Sequence, residues 1–213
     1  MRAEPNRRHI VGALGLVFGL GGCASLLTDP PKPLYQLTPK STFPPGLPRL
    51  EGQLLIDVPL APSGLDTRRI ALTHSPVSLD YFADGEWTDS APRLVQTALL
   101  ESFENSHTVT ALDRQTIGLS ADVVLKSELR HFEAVYDSAN APPQVWVVLN
   151  ARLIKMPERR VVAEQSFEAR YPATDNKLPA IVTAFDEALG KIMKEVVTWT
   201  VGNPALQGRA RRV

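Results

Sequence analysis

Val145-Trp146-Val147-Val148-Leu149-Asn150-Ala151-Arg152-Leu153 decides the fold of this chain. Val145, Val147, Leu149, Ala151 and Leu153 fall on one side of an extended strand, and Trp146, Val148, Asn150 and Arg152 fall on the other. A period of two with one apolar and one wetter side is the pattern of a sheet covered on one face only. Both flanking segments repeat it. Upstream, Val123, Leu125 and Leu129 oppose Lys126, Glu128 and Arg130, and the same parity predicts His131 beside Leu129 on the buried side. Downstream, Val161, Ala163, Phe167 and Ala169 oppose Glu164, Glu168 and Arg170. The connections 137–143 and 157–160 are short enough for hairpins, so the three segments predict an antiparallel meander.

A sheet with one apolar face needs a cover, and the sequence offers two helices. After Asn176 as a cap and Pro179 in the first turn, the segment from about Lys177 to Val201 is helical in period. Ile181, Phe185, Ala188, Leu189, Ile192, Val196 and Trp199 recur along one side, which should lie across the meander. Its other side mixes Asp186, Glu187, Lys191, Lys194 and Glu195, unlike the basic face of a lipid-binding helix. The earlier helix has Thr88, Asp89 and Ser90 as caps and Pro92 in the first turn. Leu94, Val95, Ala98, Leu99 and Phe103 form its apolar stripe, and Asn105 can stop it. Shorter strands are expected over residues 53–60, 69–72 and 109–112. The segment from His74 to Trp87 carries Ser-Pro, Asp and Asp-Gly turn signals and is expected to be a loop. The predicted class is therefore α/β of the α+β type: one domain, a largely antiparallel sheet ending in the meander, and two amphipathic helices on one face.

The N-terminal region has a different character. Arg2, Arg7 and Arg8 precede an apolar run of about 12 residues from Ile10 to Gly21. That run is shorter than the roughly 20 residues of a spanning helix. A basic start, a short apolar centre and small residues before a cleavage point make a secretory signal over residues 1–22. Leu20-Gly21-Gly22-Cys23 resembles the lipobox of bacterial lipoproteins, which implies cleavage before Cys23 and acylation of its thiol. Two or more acyl chains hold a protein stably on a membrane without spanning it. Ala24 in place of an aspartate implies export to the inner leaflet of the outer membrane, with retention at the inner membrane the lesser expectation. Cleavage removes three arginines and one glutamate from 23 basic and 23 acidic residues, leaving a net charge of −2. That balance argues against a nucleic-acid partner. Residues 24–50 hold seven prolines and are expected to form, with Cys23, an extended tether, from which Tyr35-Gln36-Leu37 could join the sheet as an edge strand. The folded domain then runs over residues 51–202, and residues 203–213, with Arg209, Arg211 and Arg212, are expected to be disordered.

The residues that carry chemistry are few. Cys23 is the only cysteine, which excludes disulfides within the chain and Cys-x-x-Cys zinc sites. His74, His107 and His131 form no pair at helical metal-ligand spacing, and His131-Phe132-Glu133 lacks the cysteine pair that a deaminase needs. The sequence holds neither a nucleophile elbow nor a phosphate-binding glycine loop. Asp57, in an apolar strand, is expected to turn to solvent. No catalytic residue, cofactor or metal site is predicted. Tyr81, Phe82 and Trp87 remain as candidate contacts to a partner or a lipid groove, although clustered aromatics more commonly cap one end of a core.

Taken in order, these features resemble the ABC-type transport auxiliary lipoproteins, the PqiC-like group. The resemblance rests on the lipobox at Cys23, Tyr35-x-Leu37, and Tyr81 to Trp87 followed by Pro92 and the first helix. It continues through Asp122-Val123-Val124-Leu125 with Phe132, the 147–153 strand, and Ala184-Phe185-x-x-Ala188-Leu189 leading to Trp199. It implies a non-catalytic outer-membrane docking piece for an ABC transporter with an MCE-domain periplasmic protein, moving lipids or other apolar compounds. Only Cys23 carries over as a functional residue. A structural or regulatory lipoprotein that reaches a cell-wall synthase is the competing expectation. A lipid groove in the domain itself is a third. Exposed sheet edges would also permit a homo-oligomer through strand pairing.

Overall fold

A computed structural model describes residues 31–114, 121–138 and 141–207. The signal segment, Cys23 and residues 208–213 of the predicted tail lie outside the described residues. The elements in chain order are β1 (Leu34–Tyr35), β2 (Leu50–Ile56), β3 (Arg69–Thr73), β4 (Asp80–Trp87), α1 (Ala91–Ser106), β5 (Val109–Arg114), β6 (Val123–Val135), β7 (Gln144–Lys155), β8 (Arg160–Pro172) and α2 (Leu178–Gly202). Eight strands form one mixed sheet with both helices on one face, the α/β architecture expected.

The meander is present as read. β7 pairs antiparallel with β6 on one edge and with β8 on the other. Its alternate residues Val145, Val147, Leu149, Ala151 and Leu153 are all fully buried. The free edge of β6 is shared end to end. β2 pairs parallel with residues 123–125 and β3 pairs parallel with residues 133–135, with Leu60 bridged to Glu128 between them. β5 extends the sheet beyond β2, while β4 and β1 extend it beyond β3. Outside the meander most pairings are thus parallel, between segments distant in sequence. Gly52 serves the junction of β2 and β6: it sits at φ +97, and the Asp122 carboxylate fills the space a side chain would take. That carboxylate accepts the Gln53 N–H at 2.7 Å.

α2 lies over β7 and β8 and beside α1, which covers β2 and β5. Its predicted stripe is buried from Ile181 to Val196, and Val182, Met193, Val197 and Val201 widen it. Trp87, Phe132 and Phe185 meet where sheet and helix join, with ring centroids 4.9–5.7 Å apart. Gln96 reaches from α1 to donate to the Ile56 carbonyl at 2.8 Å, so the buried end of β2 is tied to the helix.

Several expectations require correction. Residues 80–87 are a strand, not a loop: pairing with β3 overrides the Asp84-Gly85 turn signal. Gly85 is needed there because Tyr35 and Leu178 pack over the space of its missing side chain. β6 bulges between Leu129 and His131, so the side-chain parity reverses and Phe132 and Ala134, not His131, face the core. A second irregularity opposite Leu153 and Ile154 turns Val161 outward, half exposed. Asn176 does not cap α2. The cap position is Lys177, and Asn176 Oδ1 instead accepts the Tyr136 hydroxyl at 2.6 Å.

The proline-rich stretch, expected to stand clear of the body, is bound to it from Pro33 onward. β1 pairs with β4, and Leu37 is buried. The Thr38 N–H and hydroxyl both donate to the Asp186 carboxylate at 2.6 Å, and the Lys40 N–H donates to Ser102 Oγ at 2.8 Å. Within the expected disordered tail, residues 203–207 form a turn, and Leu206 packs against the core.

Candidate functional site

The three aromatics singled out in the sequence do not form one surface. Trp87 is enclosed in the core, leaning on Phe132 and edge-on to Phe185, and its Nε1 has no hydrogen-bond acceptor. Tyr81 is half-buried: its hydroxyl donates to the Gly64 carbonyl at 3.0 Å and the Arg69 guanidinium lies 3.5 Å above its ring. Phe82 is partly buried against the core edge. The chain therefore uses this stretch mainly to join β4 to the body.

A different set of residues comes together on the helix-free face. The bulge in β6 directs His131 outward, and its imidazole stacks on Trp146 at 3.5 Å between centroids. Arg170 of β8, directly opposite Trp146 in register, covers the other side of the indole at 4.2 Å. Glu168 holds the far edge, accepting from Trp146 Nε1 at 2.8 Å and from Arg170 Nε at 3.1 Å. The bond from Arg170 is the larger cause, and the bond from Trp146 the next, that keep the Glu168 carboxyl below its ordinary value. His131 Nδ1 lies 2.7 Å from Glu133 Oε1, and Glu133 Oε2 accepts the Phe132 N–H at 2.6 Å. A local carboxylate thus satisfies the backbone of the bulge.

Beside this stack a cleft of about 750 Å³ opens between β6 and the turn joining β3 to β4. Leu65, Val77, Leu79 and Tyr136 supply apolar walls, and Arg130 and Arg170 supply cations. Burial raises the Tyr136 phenol above its ordinary value. Both faces of the Trp146 ring are already occupied, so the stack is a rigid wall of the cleft and not a stacking platform. Further along the sheet the charges pair across strands: Arg152 with Glu164 at 3.0 Å and Lys126 with Asp57 at 3.1 Å. Oriented by its partners, the Asn150 amide accepts from Arg130 Nε at 2.8 Å and donates to Ser166 Oγ at 2.7 Å.

Residues 35–197 match the model of the family described as ABC-type transport auxiliary lipoprotein component. The chain belongs to this family. It is 32% identical over 193 residues to an uncharacterized protein of Bradyrhizobium diazoefficiens, covering 90% of this chain and 49% of that protein. The chain thus spans about half the length of that curated relative. Among solved structures, protein XCC0632 from Xanthomonas campestris, assigned to the family DUF330, is 28% identical with a TM-score of 0.74. That match covers 79% of this chain and 94% of the other. A second crystal structure, of an uncharacterized protein, is 14% identical over 78% of this chain and 96% of its own, with a TM-score of 0.60, and shows the fold alone.

The auxiliary-lipoprotein match runs from the end of β1 through most of α2, so the bound proline-rich stretch (the strap), the sheet and both helices belong to the family fold. The other residues weighed in the sequence are dispersed. His74 lies against the Tyr136 ring at 4.8 Å, and His107 ends α1 in a left-handed conformation. Asp57, expected in solvent, is only 14% exposed: Oδ2 meets Lys126 and Oδ1 is enclosed without a partner. No group of three potential metal-ligating acids, histidines or cysteines occurs among the described residues. Nor is any described helix long and apolar enough to cross a membrane. The stack was hidden in the sequence by the bulge, which one-strand parity cannot reveal. The facing of Trp146, Glu168 and Arg170 was legible, from the alternation of β7 and β8; that of His131 was not.

Proposed function

We propose that this chain is the lipid-anchored, non-catalytic docking component of an ABC transport system with an MCE-domain periplasmic protein, which moves lipids or other apolar compounds across the envelope. In this reading residues 1–22 are removed, Cys23 carries the acyl groups, and the body sits on the periplasmic face of the outer membrane. The observation that carries it is the family match over residues 35–197, preceded closely by Leu20-Gly21-Gly22-Cys23. ATP would be hydrolysed by the transporter, and the body would supply surfaces and not chemistry.

The strap supports a position close to the bilayer. Ten residue steps separate Cys23 from Pro33, the first residue hydrogen-bonded to β4, which is at most about 35 Å of extended chain. So short a leash disfavours the competing picture of a lipoprotein that reaches deep into the cell wall. The test is to solubilise membranes of the native host in mild detergent and isolate the tagged, full-length protein. Co-purification of an MCE-domain protein, lost with the membrane fraction in Cys23→Ser, is the expected result. Recovery of a cell-wall synthase with no MCE-domain protein overturns the reading.

A further inference from the structure

The turn joining β3 to β4 is built unlike the other surface segments. Val77 is 95% exposed, the most exposed of the large hydrophobic residues among the described residues, with Pro76 and Leu79 beside it. The polar groups of Thr73, Ser75 and Ser78 meanwhile bond one another. The Thr73 hydroxyl contacts the Ser75 carbonyl and lies 2.7 Å from the Ser78 carbonyl. The Ser78 N–H donates to the Ser75 carbonyl, and the two serine hydroxyls bond each other at 3.0 Å. A turn whose Thr73, Ser75 and Ser78 groups bond one another and whose tips are apolar loses less on leaving water than an open polar loop. An exposed aromatic, Tyr171, lies near the same end of the sheet, where β8 finishes opposite the start of β7.

Topology ties this end to the anchor. β1 runs parallel to β4, so it leads away from the 74–79 turn, and the chain enters it from the side on which that turn lies. From the level of Pro33 to that end of β4 is at most about 20 Å at a strand's rise. That is well within the 35 Å or so of leash. Asp80 flanks the turn, and across the cleft Arg130 and Arg170 are offset by Glu133 and Asp137. With no net cationic patch, the contact would be apolar and would not depend on anionic lipid.

We propose that the Pro76–Leu79 turn is a second membrane contact, seated in the lipid surface that holds the acyl anchor and fixing the sheet end-on to the bilayer. This rests on the reading of Cys23 as the anchor. Cys23 is the chain's only cysteine and would be blocked by acylation, so Val77→Cys introduces one labelling site. The acylated full-length protein carries a nitrobenzoxadiazole probe there, or at Glu158→Cys in the turn at the opposite end of the β7–β8 hairpin. It is reconstituted in phosphatidylethanolamine vesicles with a minor share of phosphatidylglycerol and doxyl-labelled lipid. Quenching at position 77 on the order of threefold stronger than at position 158 is expected for a loop sunk about 5–10 Å into the interface. Adding Leu79→Asp should bring it down to the level of position 158 without loss of flotation. Protein that floats with both positions equally quenched overturns the contact and leaves the anchor. Protein that does not float overturns both. A probe shielded only on addition of a protein partner assigns the turn to that partner and overturns the contact with lipid.

Discussion

The two faces of the one sheet are held by different physics. Beneath the helices, β6, β7 and α2 present an almost unbroken apolar layer, in which Trp87, Phe132, Phe167 and Phe185 are at most 2% exposed. On the other face β6, β7 and β8 carry Arg130, His131, Trp146, Arg152, Glu164, Glu168 and Arg170, joined within and across strands by stacking and hydrogen bonds. Burial of apolar area stabilises the first face, in amounts that scale with area. Exposed ion pairs on the second contribute little to stability. What they do supply is a fixed arrangement of planar groups bordering a cleft. The comparison teaches that the covered face sets whether the chain folds, while the open face is free to serve contact with other molecules.

The largest expected effect tests the covered face. Phe185→Ala removes the ring that joins α2 to Trp87 and Phe132, and should cost about 3–5 kcal/mol in denaturant unfolding. Trp146→Ala on the open face loses the stack with His131 and Arg170, for a cost of about 1 kcal/mol by the same measurement. A loss as great as that of Phe185→Ala would erase the distinction between the faces. The smallest effect is in pH dependence. Glu168 is held below its ordinary value of 4.5 by Arg170 first and Trp146 second. A depressed carboxyl contributes stability that is fully present above its unfolded value and lost as pH falls through the lower folded value. Thermal melts between about pH 5 and pH 3 should therefore fall less steeply for Glu168→Gln than for the parent. Parallel melting curves would show that the Trp146–Glu168–Arg170 contacts do not persist in solution.

Much of this division was already legible. The alternation of β7 needed no partner to be read, because both of its neighbours are strands and its parity is unbroken. The stripe of α2 was equally clear over five turns. The open-face site was not, because His131 owes its facing to a bulge that inserts one residue against β7. β4 escaped for a related reason: Asp84-Gly85 is a turn signal in isolation, and only Tyr35 and Leu178 packing on Gly85 make it part of a strand.

By itself, the order of residues determined the covered face, the two helices, the meander and the Leu20-Gly21-Gly22-Cys23 signature, since each is written in local period or local chemistry. Tertiary structure alone decided three things: the sharing of β6 between β2 and β3, the capture of the strap by Asp186 and Ser102, and the outward turn of His131 onto Trp146. The first two depend on pairings between segments distant in the chain, and the third on a bulge in the register of neighbouring strands. Such choices are made by the summed fit of the folded body, and the local period of one segment does not record them.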